Sequence, residues 1–274
     1  MYPEVFKIGP LAVRSYGVLL IFSVFMGIYY IYRMCKKYNY DFNQLLTVAY
    51  IMVFGGIAGA RLFYVLFHLD EFSGRWLNTI NPFGADQFGI AGLNLYGGVV
   101  VAVIGSFLYL RLKKMPVLEI FDIFAPTVGI GLIFTRIGCF LNGCCFGTPT
   151  DLPWGVVFPE GSMPYFVFGS VPIHPSQLYS SLYGLILFVF LHWRLKHKSF
   201  DGQIIALLFM IEAVFRYAIE YVRYYEEAMH IHFLGMEPTY NHLISISLFL
   251  LGLVIYLTQY FKSKSGRFQE ENET

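Results

Sequence analysis

Three arginines that interrupt long apolar runs form the first set of residues that could do chemistry. They are Arg61, Arg136 and Arg216. An arginine inside a bilayer costs about 2.5–3.5 kcal/mol on insertion scales, so it is normally paired, faces a cavity or is functional. Several cations at a similar depth repel each other unless an anion joins them, and the planar guanidinium fork fits phosphate. The set therefore predicts a site for the headgroup of an anionic phospholipid.

Two further arginines, Arg14 and Arg223, lie near the ends of apolar runs. The simpler interpretation of each is a side chain that extends to the outer headgroups or pairs with a nearby acid. The same explanation stays open for any one of the first three arginines, although it fits the whole set less well. Arg216 also has Glu220 four residues later, on the same face of a helix.

Three of the four cysteines lie in one short segment, TRIGCFLNGCCFGTPT, which begins at Thr135 and follows an apolar run. Cys139, Cys144 and Cys145 are interpreted as buried residues that fill space, as a bridge from the first to one of the others, or as reactive thiols. A C-x4-C-C spacing without a nearby histidine–cysteine pair is a weak zinc signature. The sequence therefore predicts no metal and no other cofactor.

The composition is that of a membrane protein. The 274 residues are 57% hydrophobic and only 14% charged, whereas a soluble domain usually carries about 25% charged residues. The sequence contains no basic stripe of the kind that binds nucleic acid, so we predict no nucleic-acid partner.

Seven apolar windows of about 20 residues predict seven transmembrane helices in one all-α integral membrane domain that covers residues 1–274. Several spans are rich in glycine, which lets helix backbones approach closely. The predicted spans are approximately 15–35, 46–68, 92–112, 118–141, 176–194, 203–222 and 240–261.

Basic residues at the ends of the spans predict the orientation. Clusters of Lys and Arg follow the first, third, fifth and seventh spans, and such clusters mark the cytoplasmic side. The N-terminus is therefore predicted outside and the C-terminus in the cytoplasm. Residues 69–91 then form an outer arm and residues 147–175 a small outer cap, either of which could gate a substrate. The cysteine segment and polar residues of at least four spans meet on this outer side.

A set of short motifs runs in order along most of the chain. In RIGCFLNGCCFGTPT, the functional pattern is carried by Arg136, Gly138, Asn142, Gly143 and Gly147. The other motifs are RSYGVL, GARLFYVLF, DIFAP, HPSQLY and FRYAIEYVR. Together they resemble the prolipoprotein diacylglyceryl transferase family, whose members are multi-pass enzymes of the bacterial inner membrane.

The resemblance implies a reaction, the first step of lipoprotein maturation. The diacylglyceryl group of phosphatidylglycerol is transferred to the thiol of the lipobox cysteine in a prolipoprotein signal peptide, and glycerol phosphate leaves. By the same resemblance, Arg136 and Arg216 hold the phosphate. The implied pocket and entrance residues are Tyr16, Arg61, Gly97, Gly98, Asn142, Gly147, His174, Gln177 and Glu220.

Three positions depart from the family pattern. Tyr96 stands where the family commonly has a histidine, Cys139 stands for an asparagine and Cys144 for a glutamate. The histidine is the family's favoured candidate for activating the thiol. Because tyrosine has a pKa of about 10 and is a poor base, Tyr96 is interpreted as a hydrogen-bond donor to the phosphate. His174 or His242 is then the alternative base.

Two other functions stay open. A paralogous transferase with a specialised cysteine acceptor would explain the three departures. A membrane protein that binds or translocates phospholipid without chemistry would spread polar residues through the depth of the helix bundle. In this sequence they concentrate near one end of the spans, and the internal repeat that many transporters carry is not evident.

Overall fold

Long apolar helices form most of the chain. The computed structural model describes residues 4–8, 11–72, 79, 92–225 and 239–273. Two short paired strands, β1 (Glu4–Ile8) and β2 (Leu11–Arg14), precede the first helix. The helices are α1 (Ser15–Tyr38), α2 (Phe42–Phe67), α3 (Leu69–Phe72), α4 (Leu95–Leu112), α5 (Val117–Asn142), α6 (Met163–Phe168), α7 (Ser176–Lys196), α8 (Gln203–Ile219) and α9 (Tyr240–Glu273), with a 3-10 turn at Glu220–Val222.

Each predicted span falls on one of these helices. Six of them, α1, α2, α4, α5, α7 and α9, are long and apolar enough to cross a membrane, so the chain is a multi-pass membrane protein. The remaining predicted span, 203–222, corresponds to α8, which has 17 residues. At 1.5 Å per residue it is about 26 Å long, slightly less than the hydrocarbon core of about 30 Å. The seventh crossing and the orientation of the termini therefore stay predictions.

The chain divides into two compact units. The larger unit contains the first half of α1 and the chain from α5 onward, and the smaller contains the second half of α1 together with α2 to α4. The prediction of one membrane domain is not tested by this division. The predicted outer arm lies mostly outside the described residues, which here include only α3 and Thr79.

In the smaller unit, glycines bring the backbones of α2 and α4 together. A Cβ atom on Gly98 would lie 2.7 Å from the Gly56 carbonyl oxygen, and one on Gly59 would lie 2.7 Å from the Gly97 carbonyl oxygen. Neither position has room for a side chain. The prediction that glycines permit close helix packing is confirmed at this crossing.

In the larger unit, a buried carboxylate fixes the start of α8. Asp122, on α5, accepts hydrogen bonds from the backbone N–H groups of Gly202, Ile204 and Ile205 at 2.8–2.9 Å. The first N–H groups of a helix have no partner inside the helix, so this side chain from a distant helix acts as the cap. Lys198 lies 3.6 Å from the same carboxylate.

The predicted cap, residues 147–175, folds around a small aromatic core in the larger unit. Phe158 and Ile173 are buried against Phe146. Backbone bridges join Val156 to Ile173 and Gly147 to Arg223. The cap is therefore attached both to the segment that follows α5 and to the segment that follows α8.

Candidate functional site

The end of α5 turns the chain back on itself. Gly143 has a φ of 73°, a conformation that favours glycine. The Gly143 N–H donates to the Phe140 carbonyl at 3.2 Å and the Cys144 N–H to the Cys139 carbonyl at 3.1 Å. These two hydrogen bonds form a Schellman motif. As a result, Cys144 and Cys145 lie beside Cys139.

The first turn of α7 holds this loop in place. Ser176 Oγ donates to the Cys145 carbonyl and Gln177 Nε2 to the Cys144 carbonyl, both at 2.8 Å. Both side chains are buried. Gln177, predicted to shape the entrance of the pocket, thus lies beneath the cysteine loop and supports it.

Gly147 lies where three segments meet. Its N–H donates to the His174 carbonyl at 3.0 Å. A Cβ atom at this position would lie 2.5 Å from the Val222 carbonyl oxygen and equally close to His174 Cβ. Glycine is therefore required for packing between the cap and the end of α8.

The three thiols of the cysteine segment converge. The Sγ atoms of Cys139, Cys144 and Cys145 all lie within 4.8 Å of one another, and all three residues are free thiols. The structure therefore has no disulfide bridge between Cys139 and either of the other two cysteines. Hydrogen bonds with the other two thiols, together with the nearby Arg223 and Arg136 guanidinium groups, lower the pKa of Cys145. The Asn142 side chain lies beside the Cys144 thiol.

Arg136 lies on α5, one turn before Cys139, and is half-buried. It is within electrostatic range of Tyr16, Cys145 and Glu212. Within the part of the chain that the structure describes, no hydrogen bond or ion pair reaches its guanidinium group. This is an arginine whose charge is not neutralised by a direct contact.

Arg216, on α8, is held by a buried network instead. Its Nε lies 3.3 Å from Glu220 Oε1, which also accepts a hydrogen bond from the Tyr225 hydroxyl at 2.7 Å. The other carboxylate oxygen accepts from Thr239 Oγ1 at 3.0 Å and from Asn241 Nδ2 at 3.2 Å. The network joins α8 to the start of α9 and fixes the direction of the Arg216 side chain.

The two arginines share one acidic neighbour, Glu212, which lies one turn before Arg216 on α8. Both lie within electrostatic range of its carboxylate. Glu212 Oε2 and the Tyr183 hydroxyl are both buried, and the two groups lie close enough to interact with each other. Positive charge from α5 and from α8 is thus gathered in one region of the larger unit.

Arg223 is a member of this region that the sequence interpretation missed. Its simpler interpretation was an arginine that extends to the headgroups, whereas in the structure it lies near the Cys145 thiol. Its guanidinium carbon is 5.2 Å from the centre of the Tyr225 ring. Burial alone would lower the pKa of Arg223, but Cys145, Tyr225 and Glu220 together raise it. In the sequence, the position of Arg223 three residues after Glu220 was the signal that could have indicated its place in this region.

Tyr16 belongs to the same region. It lies in the first turn of α1, and a Cβ atom on Gly138 of α5 would lie 3.1 Å from Tyr16 Cα. This close packing brings the tyrosine within electrostatic range of Arg136 and of all three thiols.

Each of the two histidines proposed as alternative bases already has a hydrogen-bond partner at Nδ1. His242 Nδ1 accepts from the Thr239 N–H at 3.1 Å, so a neutral His242 carries its proton on Nε2. That nitrogen is buried and has no partner in the described ranges. His174 Nδ1 lies 3.2 Å from the Tyr179 hydroxyl, which accepts from Trp154 Nε1 at 2.8 Å. A neutral His174 with its proton on Nε2 accepts the Tyr179 proton at Nδ1.

Four predicted site residues lie in the smaller unit. Tyr96 is half-exposed at the start of α4, and its N–H donates to Asn94 Oδ1 at 3.0 Å. Gly97 and Gly98 make the helix crossing described above. Arg61 donates to the carbonyls of Thr79 and Gly92, at 2.8 and 3.2 Å, which indicates a role in holding the backbone.

Comparison with known proteins now decides the family. The family model described as prolipoprotein diacylglyceryl transferase matches residues 3–258. This chain belongs to that family. Similar proteins include those of Bordetella avium, 33% identical over 93% of both chains, and Campylobacter hominis, 30% identical over 99% of this chain and 96% of its own. A Clostridium tetani protein is 31% identical over 81% of this chain and 86% of its own. Each is named phosphatidylglycerol–prolipoprotein diacylglyceryl transferase.

Proposed function

We propose that this family member transfers the diacylglyceryl group of phosphatidylglycerol to the thiol of a lipobox cysteine in prolipoproteins. The names of the relatives support the two substrates. The lipobox cysteine follows from the resemblance of the motifs. A specialised cysteine acceptor, suggested by Tyr96 and the two cysteine departures, is the second candidate.

The observation that carries this proposal is the pair Arg136 and Arg216. Both lie within electrostatic range of Glu212, but among the described residues only Arg216 forms an ion pair with an acid, Glu220. A region with more guanidinium groups than paired carboxylates favours an anion. A lipid phosphate between the two arginines would balance this charge and leave the acyl chains in the bilayer.

An apolar groove beside this region fits the acyl part of such a lipid. It runs between α8 and α9 and is lined mainly by Ala213, Tyr217, Ile246, Phe249 and Leu250. Tyr217, which follows Arg216 in the chain, is thus part of the groove wall. A lipid held at its phosphate by Arg216 would have an apolar surface next to it.

In the proposed reaction, the cysteine sulfur attacks the glyceryl carbon that carries the phosphate. The S–C bond forms, the C–O bond breaks, and its electron pair stays on the oxygen of the departing glycerol phosphate. The two arginines stabilise this developing charge. Preorganised donors of this kind are worth about 10²–10³ in rate each. In this account Tyr16, Asn142 and Gly147 shape the pocket.

The proposal includes a location. We place the protein in the bacterial inner membrane, with seven crossings, the N-terminus outside and the C-terminus in the cytoplasm. The arginine region then lies near the outer leaflet, where a secreted precursor arrives. The cap, and the outer arm of residues 69–91, would control access of the peptide.

The test combines purified protein, phosphatidylglycerol and a lipobox peptide, followed by mass spectrometry of the peptide. We expect the mass of one diacylglyceryl group to be added to the cysteine. An adduct that forms only on a different cysteine peptide would instead support the specialised acceptor. Phospholipid binding without an adduct on any peptide would contradict the proposed enzyme.

A further inference from the structure

The three converging thiols have no part in the proposed reaction so far. Cys139 is buried, and Cys144 and Cys145 are half-buried. The Cys144 thiol donates to the Cys139 carbonyl at 3.7 Å. Cys139 and Cys144 are two of the three positions at which the sequence departs from the pattern of the family that it resembles.

We propose that Cys139, Cys144 and Cys145 form a zinc site whose fourth position binds the thiol of the substrate cysteine. The inference rests on the proposed function and adds to it the means by which the thiol becomes a nucleophile. Sequence spacing alone predicts no metal here because the ligands do not follow the usual zinc patterns.

The geometry of the cluster suits this ion. In a tetrahedral zinc site with Zn–S bonds of about 2.3 Å, the sulfur atoms lie roughly 3.8 Å apart. The three Sγ atoms already lie within 4.8 Å of one another, so shifts of about 1 Å would complete the coordination. A catalytic zinc site typically has three protein ligands and one open position, which is the number of thiols available here.

The backbone that carries these ligands is fixed from outside the loop. Cys145 has a φ of 61°, a conformation that costs a non-glycine residue about 1–3 kcal/mol. Ser176 and Gln177 hold the carbonyls of Cys145 and Cys144, each at 2.8 Å. These hydrogen bonds fix the backbone of Cys144 and Cys145, and such supporting contacts commonly orient metal ligands.

The charges around the cluster also fit. Three thiolates and one Zn²⁺ carry a net charge of −1, and a bound substrate thiolate makes it −2. Arg223, which the proposed phosphate site does not use, lies within electrostatic range of Cys145. Its guanidinium group would balance the charge of the zinc site before the substrate binds, in a partly buried region where unbalanced charge is costly.

The chemistry replaces a base. A thiol that coordinates zinc is deprotonated, so the substrate cysteine releases its proton to water on binding. The zinc-bound thiolate attacks the glyceryl carbon, the S–C bond forms, and the C–O bond breaks with its electron pair on glycerol phosphate. The thioether product is a weaker ligand and leaves the metal. This route needs no histidine at position 96, where the chain has Tyr96.

Metal content tests the site without reference to activity. We expect detergent-purified protein from zinc-supplemented cells to contain about one zinc ion per chain. Cys139→Ser, Cys144→Ser and Cys145→Ser should each lower the content at least about 10-fold. Cys35→Ser changes a free cysteine outside the cluster and should leave it unchanged. Zinc-free wild-type protein, or a disulfide within the cluster in that protein, overturns the inference.

Cobalt substitution tests the fourth position. Co²⁺ in a thiolate site absorbs visible light, and we expect its spectrum to shift when a lipobox peptide is added. A peptide with serine in place of the cysteine is the control and should cause no shift. A spectrum that is the same with both peptides overturns the role of the substrate thiol as a ligand.

Transfer assays separate this inference from the proposed function. Removal of zinc by a chelator should lower transfer at least about 100-fold, and added Zn²⁺ should restore it. Undiminished transfer by chelated protein and by the three serine variants overturns the zinc site while the proposed function stands. Zinc binding and a cobalt shift without transfer of lipid support the site and contradict the proposed function.

Discussion

Glu220 shows how a single residue organises the site. It is buried, pairs with Arg216 at 3.3 Å, and accepts hydrogen bonds from Tyr225, Thr239 and Asn241. A carboxylate that accepts hydrogen bonds from this many donors is held in one orientation. It therefore aims the Arg216 guanidinium while leaving Arg136 as the less neutralised cation.

The charge of Glu220 is testable with an isosteric change. In Glu220→Gln the carboxylate that orients Arg216 is lost, so we expect the transfer rate to fall about 100-fold. Glu160→Gln is the matched control, because Glu160 is exposed on the cap and accepts one hydrogen bond, from Tyr165. Transfer of lipid to the peptide is measured for both variants at the same protein concentration. Equal rates would show that Glu220 does not position the arginine.

At the residue scale, the sequence singles out candidate residues but does not predict their contacts. Arg136, Arg216 and Glu220 are candidates because charges are rare in apolar segments. Arg223 is missed because its neighbour Cys145 is far away in the chain. Arg61 is predicted to bind an anion, and its hydrogen bonds to backbone carbonyls are not predicted, because these carbonyls are 18 and 31 residues later in the chain.

Among the elements, the junction at Gly147 is the most sensitive to a small change. A methyl group there would lie 2.5 Å from the Val222 carbonyl oxygen. We expect Gly147→Ala to lower the free energy of unfolding by about 1–3 kcal/mol and to reduce transfer. Gly131→Ala, in the middle of α5, has no atom within 4 Å of the added Cβ and should be neutral or stabilising. Thermal unfolding in detergent compares the two, and equal melting temperatures would contradict the close packing.

The cap that Asp122 provides for α8 gives a second prediction at this scale. Asp122→Ala leaves three buried or partly buried N–H groups without their acceptor. We expect a loss of about 1–3 kcal/mol in the free energy of unfolding. Asp151→Ala, at an exposed position of the cap, is the control. A melting temperature that changes no more in Asp122→Ala than in the control would argue against the cap.

The positions of the helices follow from the sequence because apolar length is the dominant signal in a membrane protein. The spans predicted at 118–141 and 176–194 correspond closely to α5 and α7. The capping of α8 by Asp122 is not predictable in this way, since it joins residues about 80 positions apart. The paired strands before α1 are also missed, because they are too short to give a periodic pattern.

For the whole molecule, the proposed orientation predicts which loops face outside. Asp151→Cys is in the cap, and Lys113→Cys is in the loop after α4, and both positions are exposed. In intact cells, a membrane-impermeant maleimide should label Asp151→Cys above the level of the native cysteines. Lys113→Cys should be labelled only after the membrane is permeabilised. The reverse pattern would require the opposite orientation.

The central claim is that Arg136 and Arg216 hold one lipid phosphate together, and a double-mutant cycle tests it most directly. Arg136→Ala and Arg216→Ala should each lower kcat/KM for phosphatidylglycerol about 10²–10³-fold. Because both arginines act on the same charge, we predict that the double variant loses much less than the product of the two single losses. Losses that simply multiply would mean that the two arginines act independently, and they would contradict this account.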